Sequence, residues 1–161
     1  MALIVVIALL FLRSESFGES TDIFLRAAAT TRIPVELLLA ISHVESGFHP
    51  RALNVAGQAL FPATLHEAES VLRRSGDNVD IGLMQINWAF WGKKLGVSKS
   101  ELLDPKLNVL LGARILEHCL KVTGDWWQAV GMYHSPDASR QRMYVAKVSL
   151  SYGRLLTKLN R

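Results

Sequence analysis

Glu45 is the residue best placed to do proton chemistry in this chain. It lies near the end of an apolar segment, Pro34 to Gly47, that carries the marks of one helix. Proline suits the first helical position, where no N–H is needed, and glycine suits the residue just past the end. Leu38, Ile41 and Glu45 follow the i, i+3, i+7 spacing of a single helix face. The carboxylate is therefore expected beside leucine and isoleucine. Burial disfavours the charged form of a carboxyl group, and so does the negative end of a helix dipole. A carboxylic acid in that setting can serve as a general acid. The segment fits equally well a glutamate at a helix end that faces solvent.

Few other residues compete for a chemical role. Cys119 is the only cysteine, so no intramolecular disulfide can form. Its neighbours Ile115, Leu116 and Leu120 predict a buried thiol that packs as a small hydrophobe. The five histidines are scattered, with no His-x-x-x-His pair and no Cys-x-x-Cys, so no metal site and no cofactor is expected. Asp80 is the rival carboxylate, two residues before Gly82. It could activate water, but an aspartate in such a place more often fixes a turn. The indoles Trp88, Trp91, Trp126 and Trp127 could stack on sugars, with one or more of them doing core work instead.

These residues need elements to hold them. Ser20 or Thr21 is expected to cap a helix running to about Thr31, with Ile23, Phe24, Ala27 and Ala28 as its stripe. The Glu45 helix follows. Ala52 to Phe61 reads as extended, a small hairpin turning at Ala56-Gly57. Thr64 and Glu67 have capping-box spacing and open a helix to about Arg74; Ser98 and Glu101 form a second such pair. Asp104-Pro105 opens a long helix to about Lys121, its buried face expected at Leu107, Leu110, Leu111, Ile115 and Cys119 or Leu120. Asp125 caps a helix to Tyr133, and His134-Ser135-Pro136 breaks it. A last helix spans about Asp137 to Leu159, with Met143, Val145, Val148, Tyr152 and Leu155 turned inward.

The chain has 161 residues, 50% hydrophobic and 20% charged, enough for one globular domain with a real core. The formal net charge of +4 suits an anionic partner but is too small to argue for nucleic acid. No basic cluster is interleaved with aromatics, so no nucleic-acid partner is expected. The basic positions Arg140, Arg142, Lys147 and Arg154 read as the solvated outside of the last helix. Ala2 to Leu12 is almost wholly apolar, close to the length of a signal-peptide core and short for a membrane span. Residues 1–16 are therefore expected to be a signal peptide or N-terminal anchor of an exported, periplasmic protein, and 20–161 the folded domain.

The run Glu45-Ser46-Gly47, then Gly82-Leu83-Met84-Gln85-Ile86-Asn87, then Ala129-Val130-Gly131-Met132-Tyr133-His134, then Tyr144, resembles the catalytic domain of the soluble-transglycosylase (SLT) type. It is most similar to the small VirB1-like members associated with conjugation and type IV secretion. The similarity extends from about Phe24 to Lys147. The resemblance implies a mainly α, lysozyme-like fold and cleavage of the MurNAc-β-1,4-GlcNAc bond of peptidoglycan. One glutamic acid, here Glu45, would protonate the glycosidic oxygen. The substrate's acetamido group would supply the nucleophile. The same glutamate, as base, would then help the muramic 6-hydroxyl close a 1,6-anhydro end. Ordinary glycosidases use two carboxylates, with substrate-assisted enzymes as exceptions.

The resemblance further implies supporting roles for Ser46 and for Tyr144, which corresponds to a tyrosine that hydrogen-bonds the glutamate. It implies substrate contacts from Met84, Gln85, Asn87, Tyr133 and His134. Gly82 would leave room for a tight turn or a close ligand. The expected partners are peptidoglycan glycan strands and components of a secretion or conjugation machine, around a monomeric chain. Two positions depart from the pattern: His134 stands where many members have asparagine, and Lys106 where some have a half-cystine. A hydrolytic muramidase and a non-catalytic peptidoglycan-binding scaffold are the alternative readings.

Overall fold

The computed structural model describes residues 16–159. The expected leader, 1–16, falls outside them apart from its last residue. Helix α1, Ser16–Thr31, begins earlier than Ser20 or Thr21, because nothing in Ser16 to Thr21 forces a break and a good cap residue is a preference only. Ile23, Phe24 and Ala27 form its buried stripe as expected, while Ala28 is only half-buried. The chain leaves it through Arg32, at φ 61, just ahead of Pro34. Helix α2 is Val35–Ser46. The amides of Leu37 and Leu38 donate to the Pro34 carbonyl, so the proline flanks the helix where the sequence put it at the first helical position.

The described residues fall into two compact units, one from residues up to Ile41 together with Ala113 onward, the other Ser42–Gly112. The second unit holds a small antiparallel sheet in the order β2-β1-β3-β4. Strands β1, Leu53–Val55, and β2, Gln58–Leu60, make the expected hairpin, with Val55 opposite Gln58. Its two turn residues, Ala56 and Gly57, both have positive φ, the twist that a two-residue hairpin favours. Strand β1 also pairs with β3, Val79–Ile81, which pairs with β4, Ile86–Asn87. These last two strands were not foreseen, since two or three residues are too few to display alternation.

Helix α3, Leu65–Arg74, opens on Thr64 as expected, its Oγ1 accepting from the Glu67 amide at 3.2 Å, while Glu67 Oε2 reaches past the cap residue and accepts from the Ala63 amide at 2.9 Å. After β4, Asn87 Oδ1 accepts from the Phe90 amide and starts a wide helical turn, Trp88–Gly92. Ser98 and Glu101 cap each other across a short 3-10 turn, Glu101–Leu103. Helix α4, Pro105–Thr123, starts on Asp104, whose Oδ1 accepts from the Lys106 and Leu107 amides. Its buried face runs through Asn108, Val109, Ala113, Ile115, Leu116 and Cys119. Leu107, Leu110, Leu111 and Leu120 are only half-buried, so the leucine-based expectation was rotated by about one residue.

The first unit is completed by α5, Trp126–His134, and α6, Ala138–Leu159. Asp125 and Asp137 cap them through their Oδ1 atoms, each at 2.8 Å from an amide three residues on. Tyr144 and Val148 are buried on α6, but Met143 is 61% exposed, opposite to expectation. Met143 precedes Tyr144, and one helical step of about 100° carries it away from the core. Among the described residues no helix is long and apolar enough to cross a membrane. The whole is the mainly α architecture expected from the sequence, with one small sheet.

Candidate active site

Glu45 occupies the last turn of α2 and is half-buried, while Leu38 and Ile41 on the same face are fully buried. The helix stops abruptly beyond it. Gly47 and Phe48 are both left-handed, at φ 58 and 65, and the Gly47 amide closes on the His43 carbonyl. Glycine accepts that conformation without a Cβ penalty. The carboxyl-bearing turn is thus the end of a rigid element and not part of a loop.

Two serines one turn apart on α2 fix this helix end to the β3–β4 connection. Ser46 Oγ lies 2.8 Å and Ser42 Oγ 3.2 Å from the Leu83 carbonyl, and both serines are buried. Ser46 Oγ is also within 3.1 Å of the Ser42 carbonyl. Ser46 therefore ties backbone to backbone, the local use of serine hydroxyls expected from their chemistry.

The connection, Gly82 to Gln85, is held from two further sides. Asn108 on α4 is fully buried and uses its whole amide: Oδ1 accepts from the Met84 amide at 2.8 Å, and Nδ2 donates to the Ile81 and Leu102 carbonyls at 2.9 Å each. The Gly82 amide donates to the Ala52 carbonyl. Gly82 is left-handed at φ 80, and a Cβ there would run into the Asn108 side chain and come within 2.9 Å of the Leu102 carbonyl. Only glycine fits. Gln85, itself left-handed at φ 45, donates through Nε2 to the Gly82 and Ala52 carbonyls at 2.9 and 3.0 Å. A non-glycine residue in that conformation is uncommon, and its own amide offsets the cost here.

This geometry revises what the polar residues of the run can offer a ligand. Both donors of Gln85 are spent on backbone, which leaves its Oε1 to accept. The Asn87 amide is likewise engaged: Nδ2 donates to Asp80 Oδ1 at 2.8 Å and Asn78 Oδ1 at 3.1 Å, and Oδ1 caps the following turn. Met84 is fully buried, with Gly112 against it, so its side chain is part of the floor and not a surface a sugar can touch. Asp80 stands in a strand opposite Asn87 and not in a turn, so its structural part is a cross-strand pairing. Asn108 and Ser42 are the two organising residues that the sequence reading missed. A lone asparagine inside the apolar run Leu107 to Ala113 was the available signal for the first.

The remaining candidates lie in the other unit and form their own group. Tyr133 ends up buried on α5, and Tyr144 is buried on α6. His134, exposed at the end of α5, lies flat on the Tyr144 ring, with centroids 4.1 Å apart and planes 4° from parallel. The imidazole thus covers one face of the phenol. Just beyond, Gln141 Nε2 donates to the Ser135 carbonyl and the Asp137 amide to Ser135 Oγ, which fixes the break between α5 and α6. Of the tryptophans, Trp88 is pinned by Nε1 to the Val97 carbonyl at 2.9 Å, whereas Trp126 and Trp127 are 40% and 37% exposed. Burial pushes the Cys119 thiol up to about 11, the inert core cysteine expected. No group of histidine, cysteine or carboxylate side chains among the described residues is arranged to hold a metal.

Comparison with known proteins agrees with this arrangement. Residues 22–147 match the family described as "Transglycosylase SLT domain". The chain is 32% identical over 141 residues to the invasion protein IagB of Salmonella typhimurium, covering 83% of this chain and 77% of that protein. It is 32% identical over 133 residues to protein IpgF of Shigella flexneri, covering 78% and 75%. It is 35% identical over 91 residues to the type IV secretion system protein virB1 of Brucella abortus, covering 53% of this chain and 38% of that protein. No solved structure matches. A glutamate at a capped helix end, a clamped Gly-Leu-Met-Gln connection and the lysozyme-like, mainly α fold accordingly have one common source: the chain belongs to the SLT transglycosylase family and is a peptidoglycan lytic transglycosylase.

Proposed function

We propose that this enzyme cleaves the MurNAc-β-1,4-GlcNAc bond of peptidoglycan and leaves 1,6-anhydromuramyl ends, with Glu45 as its single acid and base. The observation that carries the assignment is the position of Glu45. It is half-buried on the last turn of α2, one residue before the serine that pins that turn to the Leu83 carbonyl. A positioned carboxyl can protonate the leaving glycosidic oxygen and, once ionised, take the proton of an attacking hydroxyl. Proton count balances over the cycle: Glu45 gives one proton to the GlcNAc oxygen and regains one from the muramic 6-hydroxyl as the new C–O bond closes. No water is consumed.

Ser46 and Tyr144 are the supporting residues in this reading. Ser46 holds the helix end, and Tyr144 is a buried phenol whose ring His134 covers. Substrate contacts are assigned to Gln85 through Oε1, to His134 through its exposed edge, and to Tyr133 next to it in the chain. Met84 and Asn87 are assigned the support of the connection that carries Gln85. The engagement of Asp80 by Asn87 supports a structural aspartate and so favours transglycosylation over hydrolysis with a second carboxylate. The names of the relatives, an invasion protein and a type IV secretion system protein, support a role in opening the wall locally for a secretion or transfer apparatus, outside the cytoplasm.

Digestion of purified sacculi tests the reading. Mass spectrometry of the released muropeptides should find anhydro ends with the wild type and none with Glu45→Gln, whose fold and melting point are kept. Reducing ends in place of anhydro ends would assign a muramidase. Undiminished cleavage by Glu45→Gln would remove Glu45 from the chemistry.

A further inference from the structure

Helix α6 carries five cations, Arg140, Arg142, Lys147, Arg154 and Lys158, and no aspartate or glutamate. At 100° per residue its exposed side resolves into parallel rows. Met143 and Leu150, 61% and 56% exposed, form the centre line. Small residues, Ala146 and Gly153, lie along one side of that line, and Arg140, Lys147, Arg154 and Lys158 form a row along the other. The row runs over 19 residues, about 27 Å of helix from Arg140 to Lys158. Near its C-terminal end the surface dips into a shallow trough lined by Leu150, Gly153, Arg154, Thr157 and Lys158.

The charge of this row is not balanced locally. Asp137, the N-cap, accepts from the Arg140 amide and lies at the extreme start of the row. Among the described residues Arg142, Lys147, Arg154 and Lys158 make no ion pair. The face thus combines two exposed apolar side chains on one line with charge of a single sign beside them. An apolar centre line flanked by a straight row of cations is the pattern of a helix that lies in a polar–apolar boundary. Anionic headgroups would meet the cations while the two apolar side chains enter between them. A purely polar acidic polymer would match the cations and leave Met143 and Leu150 in water.

We propose that the outer face of α6 docks the enzyme on an anionic lipid surface. The inference is independent of the reaction assigned to Glu45. None of the residues in the stripe belongs to the catalytic assignment.

The test needs a local readout, because the apolar N-terminal segment of the full chain can bind lipid by itself. A water-soluble acylating reagent is applied to the full chain on phosphatidylcholine vesicles and on vesicles containing phosphatidylglycerol, and each lysine is scored by mass spectrometry. Lys147 and Lys158 should label at least threefold more slowly on the anionic vesicles, while Lys121, exposed on α4, stays unchanged. Raised salt should erase the difference. The triple variant Met143→Ser, Leu150→Ser, Arg154→Glu should lose the protection and keep its rate of sacculus cleavage. Equal labelling on both vesicle types, or protection that survives the triple substitution, would overturn the proposal. Protection by sacculi and not by anionic vesicles would overturn it in favour of an acidic wall polymer.

Discussion

Removing the Asn108 side chain should loosen the Gly82–Gln85 connection more than any other truncation of one polar residue. The Asn108→Ala change deletes three hydrogen bonds and leaves three backbone groups, the Met84 amide and the Ile81 and Leu102 carbonyls, without their partner in a fully buried place. At about 1 kcal/mol of net stability for each bond, the floor is about 3 kcal/mol. A domain of this size loses about 2–4 °C of melting temperature per kcal/mol, so calorimetry should record a fall of about 6–12 °C. Turnover of sacculi, measured well below that midpoint, should fall about tenfold or more, since small misplacement of positioning groups is costly. A fall below about 2 °C with unchanged turnover would refute the clamp.

Asn108→Asp separates shape from hydrogen bonding. It is nearly isosteric and keeps an acceptor for the Met84 amide. It also places a carboxylate oxygen against two carbonyls, where the charged form is disfavoured and the proton is held more tightly in the folded state. The folded protein then binds more protons than the unfolded chain, and stability falls as pH rises. The deficit of Asn108→Asp relative to wild type should therefore be larger at pH 8 than at pH 5. A deficit independent of pH would mean that volume, and not the pattern of donors, makes the site.

Other perturbations follow from single contacts. Gly112→Ala places a Cβ 2.8 Å from Met84 Cβ and Cγ, and overpacking of about 1–3 kcal/mol should outweigh the helix gain of about 1 kcal/mol, so a raised melting point would contradict the packing. With its thiol near 11, Cys119 should carry roughly one thiolate in a thousand at pH 8 and react with a disulfide reagent only after denaturation. Because that value lies above the ordinary 9.0, the buried cysteine's contribution is intact below pH 9 and is lost as pH rises toward 11, which an alkaline melting series of wild type and Cys119→Ala would detect. The Ser98 amide and hydroxyl hold Glu101 below its ordinary 4.5, so its stabilising effect is present above that pH and is lost as pH falls through the lowered value. Melting curves of wild type and Glu101→Gln should differ at pH 7 and converge in acid.

The helices were legible in the sequence because their ends are chemically marked. Thr64, Asp104, Asp125 and Asp137 each accept from an amide two or three residues on, so a short polar side chain before an apolar run located four starts. Faces were less legible. On α4 the leucines drew the expected stripe toward Leu107, Leu110 and Leu111, yet the helix buries the smaller Val109, Gly112 and Ala113 more completely. Close approach there selects small side chains, and hydropathy is blind to close approach. The dependence of the Gly82–Gln85 connection on Asn108 was illegible for a related reason: its bonds to Met84 and Ile81 join residues 24 and 27 apart in the chain.

The same long-range contacts change what the run Gly82 to Asn87 is for. Read as a string, its glutamine and asparagine look like groups offered to a sugar. In the fold nearly all their hydrogen-bonding capacity is turned inward, Gln85 onto Ala52 and Gly82, Asn87 onto Asp80, Asn78 and the next turn. The Leu83 carbonyl, two residues before Gln85, is the acceptor for both α2 serines. Polar side chains here make a backbone surface rigid, and that surface sets the angle at which the last turn of α2 presents Glu45. With Glu45 proposed as the single acid and base, no second carboxyl shares the positioning, and precision has to come from the scaffold behind it. On that reasoning Ser42, Ser46 and Asn108 matter to the chemistry though none of them needs to touch a sugar. Substitutions at these three should lower turnover with little change in the affinity for glycan, the opposite of what loss of a sugar contact would do.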